Sequence, residues 1–482
     1  MSTDKRIQKD GPSEPYTIFT RAQKAVIVSV VSGAATLSGF ASNIYFPAIP
    51  AIATDLSVST ELVNLTVTCY MIFQALSPTI WGALSDVRGR RIAYVCTLTI
   101  FLGACIGLAE TRTYAQIIIL RCLQSTGSAS TIAIGAGVIG DITTREERGG
   151  YMGLFQGGLL MPVAIGPVIG GALADHLGWR SVFWFLTIYG AVCLVIIVII
   201  LPETLRSLVG NGSRPASGLA KSPLASYQRK EYERANETCT KDGPIEHLPP
   251  KSIDWVGPLK ILISLNAAFV ILLVSVHYMT WQMVLTALST LFKKVYRLDE
   301  TQIGLVFLSN GVGSILGTLL TGKLLDIDYR RIRRQFDGDE SKIPLERARM
   351  RTIWLWSGLE CASVLVFGWT VHRAVHMSVP IISVFILGWT AISIQSVVST
   401  FLVDVYPQHS ASAMAALNLA RCLCGAGGTA VVGPCITGVG VGWTFTIFAA
   451  IMFTSGGLLI VQMIHGPAWR QRLENKQNNS RT

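Results

Sequence analysis

A short charged segment between two long apolar runs, repeated later in the chain, limits the possible folds most. Residues 82–92 read GALSDVRGRRI and contain four charged side chains. Because charges are costly in hydrocarbon, this hinge must lie at a membrane face while the runs on either side cross the bilayer. Residues 322–332, GKLLDIDYRRI, repeat the pattern as a second hinge about 240 residues later. A repeat of this length indicates two copies of one membrane unit.

The composition also indicates an integral membrane protein. Of the 482 residues, 50% are hydrophobic and 14% are charged, against roughly 25% charged in an ordinary soluble protein. The net charge of +11 comes from Lys and Arg in short connectors rather than on one face, so a nucleic-acid partner is not expected. Most of the ten cysteines lie inside apolar runs, and we expect neither a metal nor another cofactor.

About twelve segments are apolar and long enough to cross the bilayer as helices. The predicted spans are residues 25–46, 62–83, 92–110, 115–138, 151–173, 181–201, 259–281, 302–324, 351–371, 379–402, 412–435 and 443–465. We therefore predict an all-α membrane protein with an N-terminal tail (1–24), a first six-helix bundle (25–201), a hydrophilic linker (202–257), a second six-helix bundle (258–466) and a C-terminal tail (467–482). This organisation is typical of transporters whose halves rock around a central site.

The distribution of basic side chains predicts the orientation. Lys and Arg are concentrated in the tails, the hinges and the linker, which places these segments and both termini in the cytoplasm by the positive-inside rule. The connector that holds Lys293, Lys294 and Arg297 runs against this rule. We expect a multi-pass protein of the plasma membrane, with the vacuole or another internal membrane as the alternative.

The hinge has residue types that suit a tight turn at a membrane face, where Arg90 and Arg91 can anchor to anionic lipid and to helix C-termini. Gly82 allows close packing, Gly89 allows the turn, and Asp86 can interact with a helix N-terminus. The pattern resembles the signature between the second and third spans of the major facilitator superfamily, which implies the fold of that family and a network between bundles that stabilises the outward-facing state. A loop that only sets topology is the alternative. The gating candidates are Gly82, Asp86, Gly89, Arg90, Arg91, Asp326, Arg330 and Arg331.

The fifth predicted span contains the run LMPVAIGPVIGG. Its small residues would leave one helix face nearly bare, so that a neighbouring helix can approach closely, and its prolines permit a bend. The run resembles the antiporter signature of the drug:proton exporters in the same superfamily, and a packing face common to many membrane helices is the alternative. The residues concerned are Pro162, Gly166, Pro167, Gly170 and Gly171.

Two arginines lie inside predicted spans, where a charge is expensive and indicates function. Arg121 shares a helix face with Gln124 but lies about six residues from the outer end of its span, so snorkelling to the membrane surface is the alternative. Arg421 lies about nine residues into the eleventh span, with Asn418 on the same face, and either a protein carboxylate or an anionic substrate would neutralise it. The substrate-binding candidates are Arg121, Gln124, Gln282, Asn310, Asn418 and Arg421.

Carboxylates inside the predicted spans are few. Glu360 in the ninth span is a candidate site for a coupling proton, because burial favours the protonated form of a carboxyl group. Ninth spans of this fold are usually peripheral, so a purely structural role is the alternative. The first span has no acidic residue, whereas exporters of cationic drugs often have one in the membrane.

Longer stretches narrow the resemblance. Residues 42–50 (SNIYFPAIP), 132–142 (IAIGAGVIGDI) and 201–213 (LPETLRSLVGNGS) are similar to the fungal twelve-span drug:proton antiporter group. Residues 279–292 (MTWQMVLTALSTLF), 303–313 (IGLVFLSNGVG) and 343–351 (IPLERARMR) are most similar to the fungal citrate exporter branch of that group. The resemblance covers roughly residues 20–470.

We therefore expect a secondary active transporter that exports a small organic di- or tricarboxylate, such as citrate or itaconate, by alternating access. Coupling to protons is implied by the resemblance. The expected partners are an anionic small molecule, protons and the lipid bilayer, and the expected state is a monomer. A multidrug or secondary-metabolite efflux pump of the same fold is the main alternative, and a membrane receptor or sensor is a further one. An enzyme is not expected, since no catalytic cluster occurs in the apolar segments.

Overall fold

The computed structural model describes residues 16–212, 221, 257–335, 345–406 and 410–479, and this part of the chain is helical with no strand. It contains twelve helices that are long and apolar enough to cross a membrane. They are α1 (Arg21–Asn43), α2 (Thr60–Arg88), α3 (Arg90–Ala109), α4 (Tyr114–Ile142), α5 (Arg145–Leu177), α6 (Arg180–Ile200), α7 (Leu265–Tyr296), α8 (Glu300–Gln335), α9 (Ile353–His372), α10 (Ser378–Val405), α11 (Ser410–Val439) and α12 (Val441–Asn479).

Short helices extend or connect these elements. A 3-10 turn at Phe46–Ala48 and the helix Ile49–Asp55 prolong α1 toward α2. The helix Arg206–Val209 follows α6, Gly257–Ile263 precedes α7, and Leu345–Met350 precedes α9. We call α1–α6 the first half and α7–α12 the second half.

Local sequence explains where several helices begin and end. α1 begins with a capping box, in which the Thr20 hydroxyl accepts a hydrogen bond from the Gln23 backbone and the Gln23 side chain accepts one from the Thr20 backbone. The Ser59 hydroxyl caps α2 by accepting from the Leu62 amide. α2 ends at Gly89, whose φ of +110° favours glycine over every other residue type.

The seventh predicted span differs most from the structure. It was placed at residues 259–281, whereas α7 runs from Leu265 to Tyr296. Ser264 separates α7 from the preceding short helix, and the apolar run continues past Trp281 to Phe292. α7 then ends where Arg297 adopts a left-handed conformation with φ of 56°. The mean hydropathy of this region did not reveal the break at Ser264, because that serine lies between two apolar runs.

The two hinges also differ from each other. The first hinge turns at Gly89, but α8 continues as a helix through the second copy to Gln335. The residue of the second copy that corresponds to Gly89 is Tyr329, and a tyrosine disfavours the positive φ that the turn requires. The expectation of a second hinge was therefore wrong in its backbone conformation. The side chains of Asp326 and Arg330 lie outside the described part of the structure.

Most of the predicted linker (202–257) also lies outside the described residues, since positions 213–220 and 222–256 are not described. The described beginning of the linker, residues 202–212, is ordered against the rest of the chain. Leu205 and Val209 are buried, so residues 202–212 pack against the first half instead of leading away from it.

The two halves are in contact at one face of the molecule. We call the side where α1 begins and α12 ends the tail face, and the opposite side, where α1 and α7 end, the far face. Near the far face the Phe46 and Phe307 rings stack with centroids 5.7 Å apart, and the Ser289 hydroxyl donates to the Phe46 carbonyl at 2.7 Å. The Thr301 hydroxyl donates to Asp175 at 2.7 Å. These contacts join α1 and α5 to α7 and α8, and they close the far face.

The same helices diverge toward the tail face. α5 and α8 touch backbone to backbone where Gly311 meets Ala164, since a Cβ on Gly311 would overlap the Ala164 Cα. Gly153 of α5 and Gly322 of α8 each lie eleven residues closer to the tail face than this contact. A Cβ at either position would have no atom of another element within 4 Å. The structure is therefore closed at the far face and splayed at the tail face between α5 and α8.

Candidate functional site

The charges of the first hinge form a network inside the first half. Arg90 at the start of α3 forms ion pairs with Asp86 at 2.6 Å and with Asp141 at the end of α4 at 3.0 Å. Its guanidinium also donates to the Ser85 hydroxyl at 2.7 Å. Gly137 makes room for it, because a Cβ there would lie 2.6 Å from Arg90 Cζ. These contacts tie α2, α3 and α4 together.

Glu203, just after α6, holds the N-terminus of α3. Its carboxylate accepts hydrogen bonds from the backbone amides of Arg90 at 2.9 Å and Arg91 at 3.2 Å, and from those of Thr204 and Leu205 at 3.0 Å each. A buried carboxylate suits this position, because a helix N-terminus has unpaired N–H groups and partial positive charge. The Arg91 guanidinium donates in turn to carbonyls at the end of α6, those of Leu201 and of Val198 at 2.6 Å.

These hinge contacts lie within the first half, whereas the family resemblance implies a network between bundles. The side chain of Asp86 is 52% exposed, so it remains accessible for a further partner. Because the structure is splayed at the tail face, where this hinge lies, an inter-bundle network at the hinge stays a prediction for a conformation that closes there.

Arg121 lies inside the first half with its charge unneutralised by any described carboxylate. It is 1% exposed, so it does not snorkel to the membrane surface. Its guanidinium stands 4.1 Å from the Tyr45 ring centroid and 4.3 Å from that of Tyr70, and Nη1 donates to the Ala41 carbonyl and to Gln124. The remaining nitrogens, Nε and Nη2, have no hydrogen-bond partner among the described residues. Aromatic faces stabilise this cation without consuming its donors.

Arg421 lies in the second half and is only partly buried. It is eleven residues into the 30-residue helix α11, which is about 16 Å along the helix axis. The guanidinium donates to Gln395 and to Asn418 at 3.0 Å each, and it stands 4.9 Å from the Tyr278 ring centroid. Neither amide carries charge, so the positive charge of Arg421 is oriented but not neutralised in the described structure.

The Arg421 cluster adjoins the contact between the halves. Asn418 also donates to the Gln74 carbonyl of α2 at 3.3 Å, and the hydroxyls of Thr68 and Thr429 lie 2.9 Å apart across the same pair of helices. A Cβ on Gly425 of α11 would lie 3.0 Å from the Tyr278 ring. The polar side chains of α11 thus contact α2 of the first half on one side and α7 on the other.

The other substrate-binding candidates separate into two groups. Gln282 is partly buried and donates to the Tyr278 hydroxyl at 2.9 Å, which places it in the Arg421 cluster. Gln124 is fully buried and its amide is used by Arg121 and by Cys105, so it orients Arg121. Asn310 is 1% exposed and accepts from the Trp281 indole at 2.9 Å. Asn310 therefore packs inside the second half against Trp281, whose ring centroid lies 5.6 Å from that of Tyr278 in the Arg421 cluster.

The small residues of α5 contact both halves. Gly166 lies against Phe40, Asn43 and Ile44 of the first half. On another face, a Cβ on Gly171 would lie 3.2 Å from the Gly304 Cα of α8. The remaining residues of the predicted packing run lie in the same contacts: Gly170 against Ile44, Pro162 against Gly39, and Pro167 against Gly304.

Glu360 on α9 is fully buried and paired with a histidine. Its Oε2 lies 2.9 Å from His277 Nδ1 of α7, and the other ring nitrogen of His277 lies 3.1 Å from the Ser357 hydroxyl. Glu360 Oε1 has no partner among the described residues. This pair lies within the second half.

Sequence reasoning missed three residues of these clusters. Tyr70 and Tyr278 stand beside the two arginines, but a tyrosine in an apolar run has no pattern that distinguishes it from a packing residue. Glu203 belongs to the stretch quoted for its family resemblance, yet nothing in its local spacing indicates that it caps α3. A search of the described residues finds no group of three His, Cys, Asp or Glu side chains that could hold a metal.

Comparisons with known proteins agree with this architecture. Residues 31–429 match the family model described as Major Facilitator Superfamily. Citrate exporter 1 of Aspergillus niger is 38% identical over 486 residues, covering 97% of this chain and 91% of that protein. The MFS antiporter QDR2 of Candida albicans is 34% identical over 472 residues, covering 95% and 92%.

Two solved structures share the fold at low sequence identity. The human organic anion transporter MFSD10 (TETRAN) is 17% identical with a TM-score of 0.58, covering 90% of this chain and 99% of that one. The xylose transporter XylE of E. coli, in a partially occluded inward open conformation, is 14% identical with a TM-score of 0.64, covering 92% and 97%.

Proposed function

Because this chain belongs to the major facilitator superfamily and is a transporter rather than an enzyme, we propose that it exports a small organic di- or tricarboxylate of the citrate or itaconate class. Export proceeds by alternating access, with the central site reached from one membrane face at a time. The similarity to a citrate exporter along nearly the whole chain supports this substrate class.

The observation that carries the proposal is the uncompensated charge of Arg421. This arginine is partly buried at the middle of the bundle, neutral amides hold it in place, and none of the described carboxylates lies within ion-pair distance. An arginine held in a fixed orientation by neutral donors and acceptors is suited to a carboxylate, which can accept two parallel hydrogen bonds from its fork. A cationic substrate would be repelled at the same place.

Arg121 supplies the second positive charge in our proposal. Arg121 belongs to the first half, whereas Arg421 belongs to the second half. The N–H groups at Nε and Nη2 of Arg121 have no hydrogen-bond partner among the described residues. A substrate with two carboxylates could reach both arginines once the halves close around it. Binding would then be strongest in the occluded conformation, which is what alternating access requires of its substrate.

We further propose that the tail face is cytoplasmic. The basic residues of the first hinge and Arg470 near the end of α12 lie on this face, as the positive-inside rule predicts. The conformation described here would then be open to the cytoplasm, where an exporter loads its substrate. We propose the plasma membrane as the location, an internal membrane being the alternative, and a monomer as the working unit, with transport coupled to protons.

Counterflow of radiolabelled citrate in proteoliposomes tests this function. The wild-type protein should exchange internal for external citrate, and Arg421→Gln should weaken binding by roughly ten- to a hundredfold, as expected from the loss of about 1.5–3 kcal/mol for a charged hydrogen bond. Arg373→Gln, the same change at an exposed position outside the cluster, is the matched control. Citrate exchange that is the same in Arg421→Gln and in the wild type would refute the anion site.

A second candidate function is efflux of drugs or secondary metabolites. The similarity to the QDR2 antiporter favours it. A strain that lacks the gene would then become sensitive to lipophilic drugs, whereas a strain that lacks an organic-acid exporter would retain organic acid inside the cell. The absence of any acidic residue in α1 weighs against cationic drugs as the substrate class.

A further inference from the structure

The membrane core of this protein contains very few groups that can exchange a proton or carry a charge. We take the apolar span of α8 as residues 300–325 and that of α12 as residues 441–471. Beyond the first and last turns of the twelve apolar spans, the only Asp, Glu, Lys, Arg or His residues are Arg121, His277, Glu360, Arg421 and the exposed His465 near the end of α12. Arginine keeps its proton under all physiological conditions. A transporter coupled to protons by groups in its core therefore has one pair available, His277 and Glu360.

We propose that His277 and Glu360 together form the site that binds the coupling proton, and that this site acts on the substrate cluster through α7. The inference rests on the proton coupling proposed above. Glu360 alone was a sequence candidate; the structure adds the imidazole and the hydroxyl of Ser357, which lie in one hydrogen-bonded line from Ser357 through both ring nitrogens to the carboxylate.

The line of hydrogen bonds can hold different numbers of protons. With one proton the pair is neutral overall, either as imidazolium with carboxylate or as imidazole with carboxylic acid. Because the two groups touch, the protons belong to the pair and not to either residue. Glu360 Oε1 is buried without a described partner, although buried polar atoms almost always have one. This oxygen is a free acceptor position at which another proton could bind.

The surroundings leave the pair as the main titrating unit of its region. On α9 itself, Cys361 donates weakly to the Ala449 carbonyl of α12. Away from the ends of their apolar spans, residues 300–325 of α8 and 378–405 of α10 contribute no acidic, basic or imidazole side chain, and residues 441–471 of α12 contribute only His465. On α7, the neighbouring Tyr278 faces Arg421 of α11.

The pair also has a route for a proton in this conformation. Ser357 lies four residues from the start of α9, on the tail side of Glu360, and is 9% exposed, whereas His277 and Glu360 are 1% and 0% exposed. A proton delivered to the ring nitrogen beside Ser357 can leave from the other ring nitrogen to Glu360, because imidazole accepts at one nitrogen while it donates from the other. The proton that binds beside Ser357 stays on that ring nitrogen while the proton of the other ring nitrogen moves to Glu360, and the reverse transfer restores the original imidazole.

The connection to substrate is direct. His277 precedes Tyr278, whose ring lies beneath Arg421 and whose hydroxyl accepts a hydrogen bond from the Gln282 amide. A change in charge on the pair is followed by a change in the position of α7, since His277 holds α7 against α9. That change reaches the Arg421 cluster within one residue, which is the coupling between two sites that proton-driven transport needs.

Two flux measurements on reconstituted protein separate coupling from binding. Citrate counterflow without a pH gradient requires the substrate site alone, whereas citrate flux driven by a pH gradient also requires the proton site. Glu360→Gln, which keeps the shape but cannot titrate, should retain counterflow and lose the gradient-driven flux. Glu110→Gln, at an exposed position outside the cluster, should retain both. A Glu360→Gln variant in which both fluxes equal those of the wild type would overturn the proposal.

An infrared titration keeps the inference testable if the variant carries no citrate at all. Among the carbonyl bands of protonated carboxylic acids that appear on acidification of the purified wild-type protein, one should be missing in Glu360→Gln and should shift its midpoint in His277→Gln. An identical band in Glu360→Gln would overturn the proton site. Wild-type protein that shows this band but exchanges no citrate would instead overturn only the proposed substrate.

Discussion

The Glu203 carboxylate makes a sharp prediction because it accepts hydrogen bonds from four backbone amides and is 4% exposed. Glu203→Ala removes every one of these acceptors at once. The amides of Arg90 and Arg91 at the start of α3 then have no helical partner. A buried arginine, Arg91, also loses the negative charge beside it.

The size of the effect follows from these contacts. A hydrogen bond to a charged group contributes about 1.5–3 kcal/mol, but bonds that share one acceptor do not add, and water will enter the emptied position, so we take about 3 kcal/mol for the alanine variant. Local opening of the α3 start should then be about a hundredfold more frequent. Glu203→Gln keeps an acceptor oxygen and should lose about 1 kcal/mol, which is roughly fivefold.

Hydrogen exchange followed by mass spectrometry measures this opening directly. Peptides that cover residues 90–97 should exchange faster in Glu203→Ala, and peptides from the middle of α4 should not change. Glu110→Ala, at an exposed position beyond the end of α3, is the control. Equal exchange of residues 90–97 in Glu203→Ala and in the control would refute the capping role, and uniform acceleration over the whole chain would show general unfolding instead.

Two further predictions concern the closure of the halves and the charge of the substrate. Gly311→Val should force α8 away from the Ala164 backbone, so that a cysteine introduced at Thr301 reacts faster with an impermeant maleimide; unchanged labelling would contradict the contact. A dicarboxylate should inhibit citrate counterflow at least about tenfold better than a monocarboxylate of equal length, because only the former can pair with both Arg121 and Arg421. Equal inhibition would show that one arginine suffices.

The sequence was sufficient for features that depend on local composition. Twelve apolar runs predict twelve spanning helices, and the described residues contain twelve helices that are long and apolar enough to span. This agreement is expected because each helix satisfies its own backbone and needs only length and hydropathy. The limit of this reasoning is visible at the second hinge. Asp326, Arg330 and Arg331 repeat the charges of the first hinge, yet with Tyr329 in the place of Gly89 the helix α8 continues to Gln335.

Features that join distant parts of the chain were not predictable in the same way. Glu203 caps an amide 113 residues earlier, and His277 meets Glu360 across 83 residues. Whether the Arg121 side chain is buried or reaches the membrane surface also depended on residues distant in the chain. Its depth alone allowed snorkelling, and only the positions of Tyr45 and Tyr70 explain why it stays buried. Spacing within one helix carries no information about such partners.

The two halves repeat one framework but divide the chemistry between them. The first half has Arg121 and the first hinge with its ion pairs, while the second half has Arg421 and the His277–Glu360 pair. Neighbouring residues on an α-helix point about 100° apart, so His277 and Tyr278 face α9 and α11 respectively from a single turn of α7. Any rotation or tilt of α7 that changes the contact of His277 with Glu360 must also change the contact of Tyr278 with Arg421. In our proposal the proton and the anion therefore cannot be bound independently, because the same short segment of α7 lies against both sites.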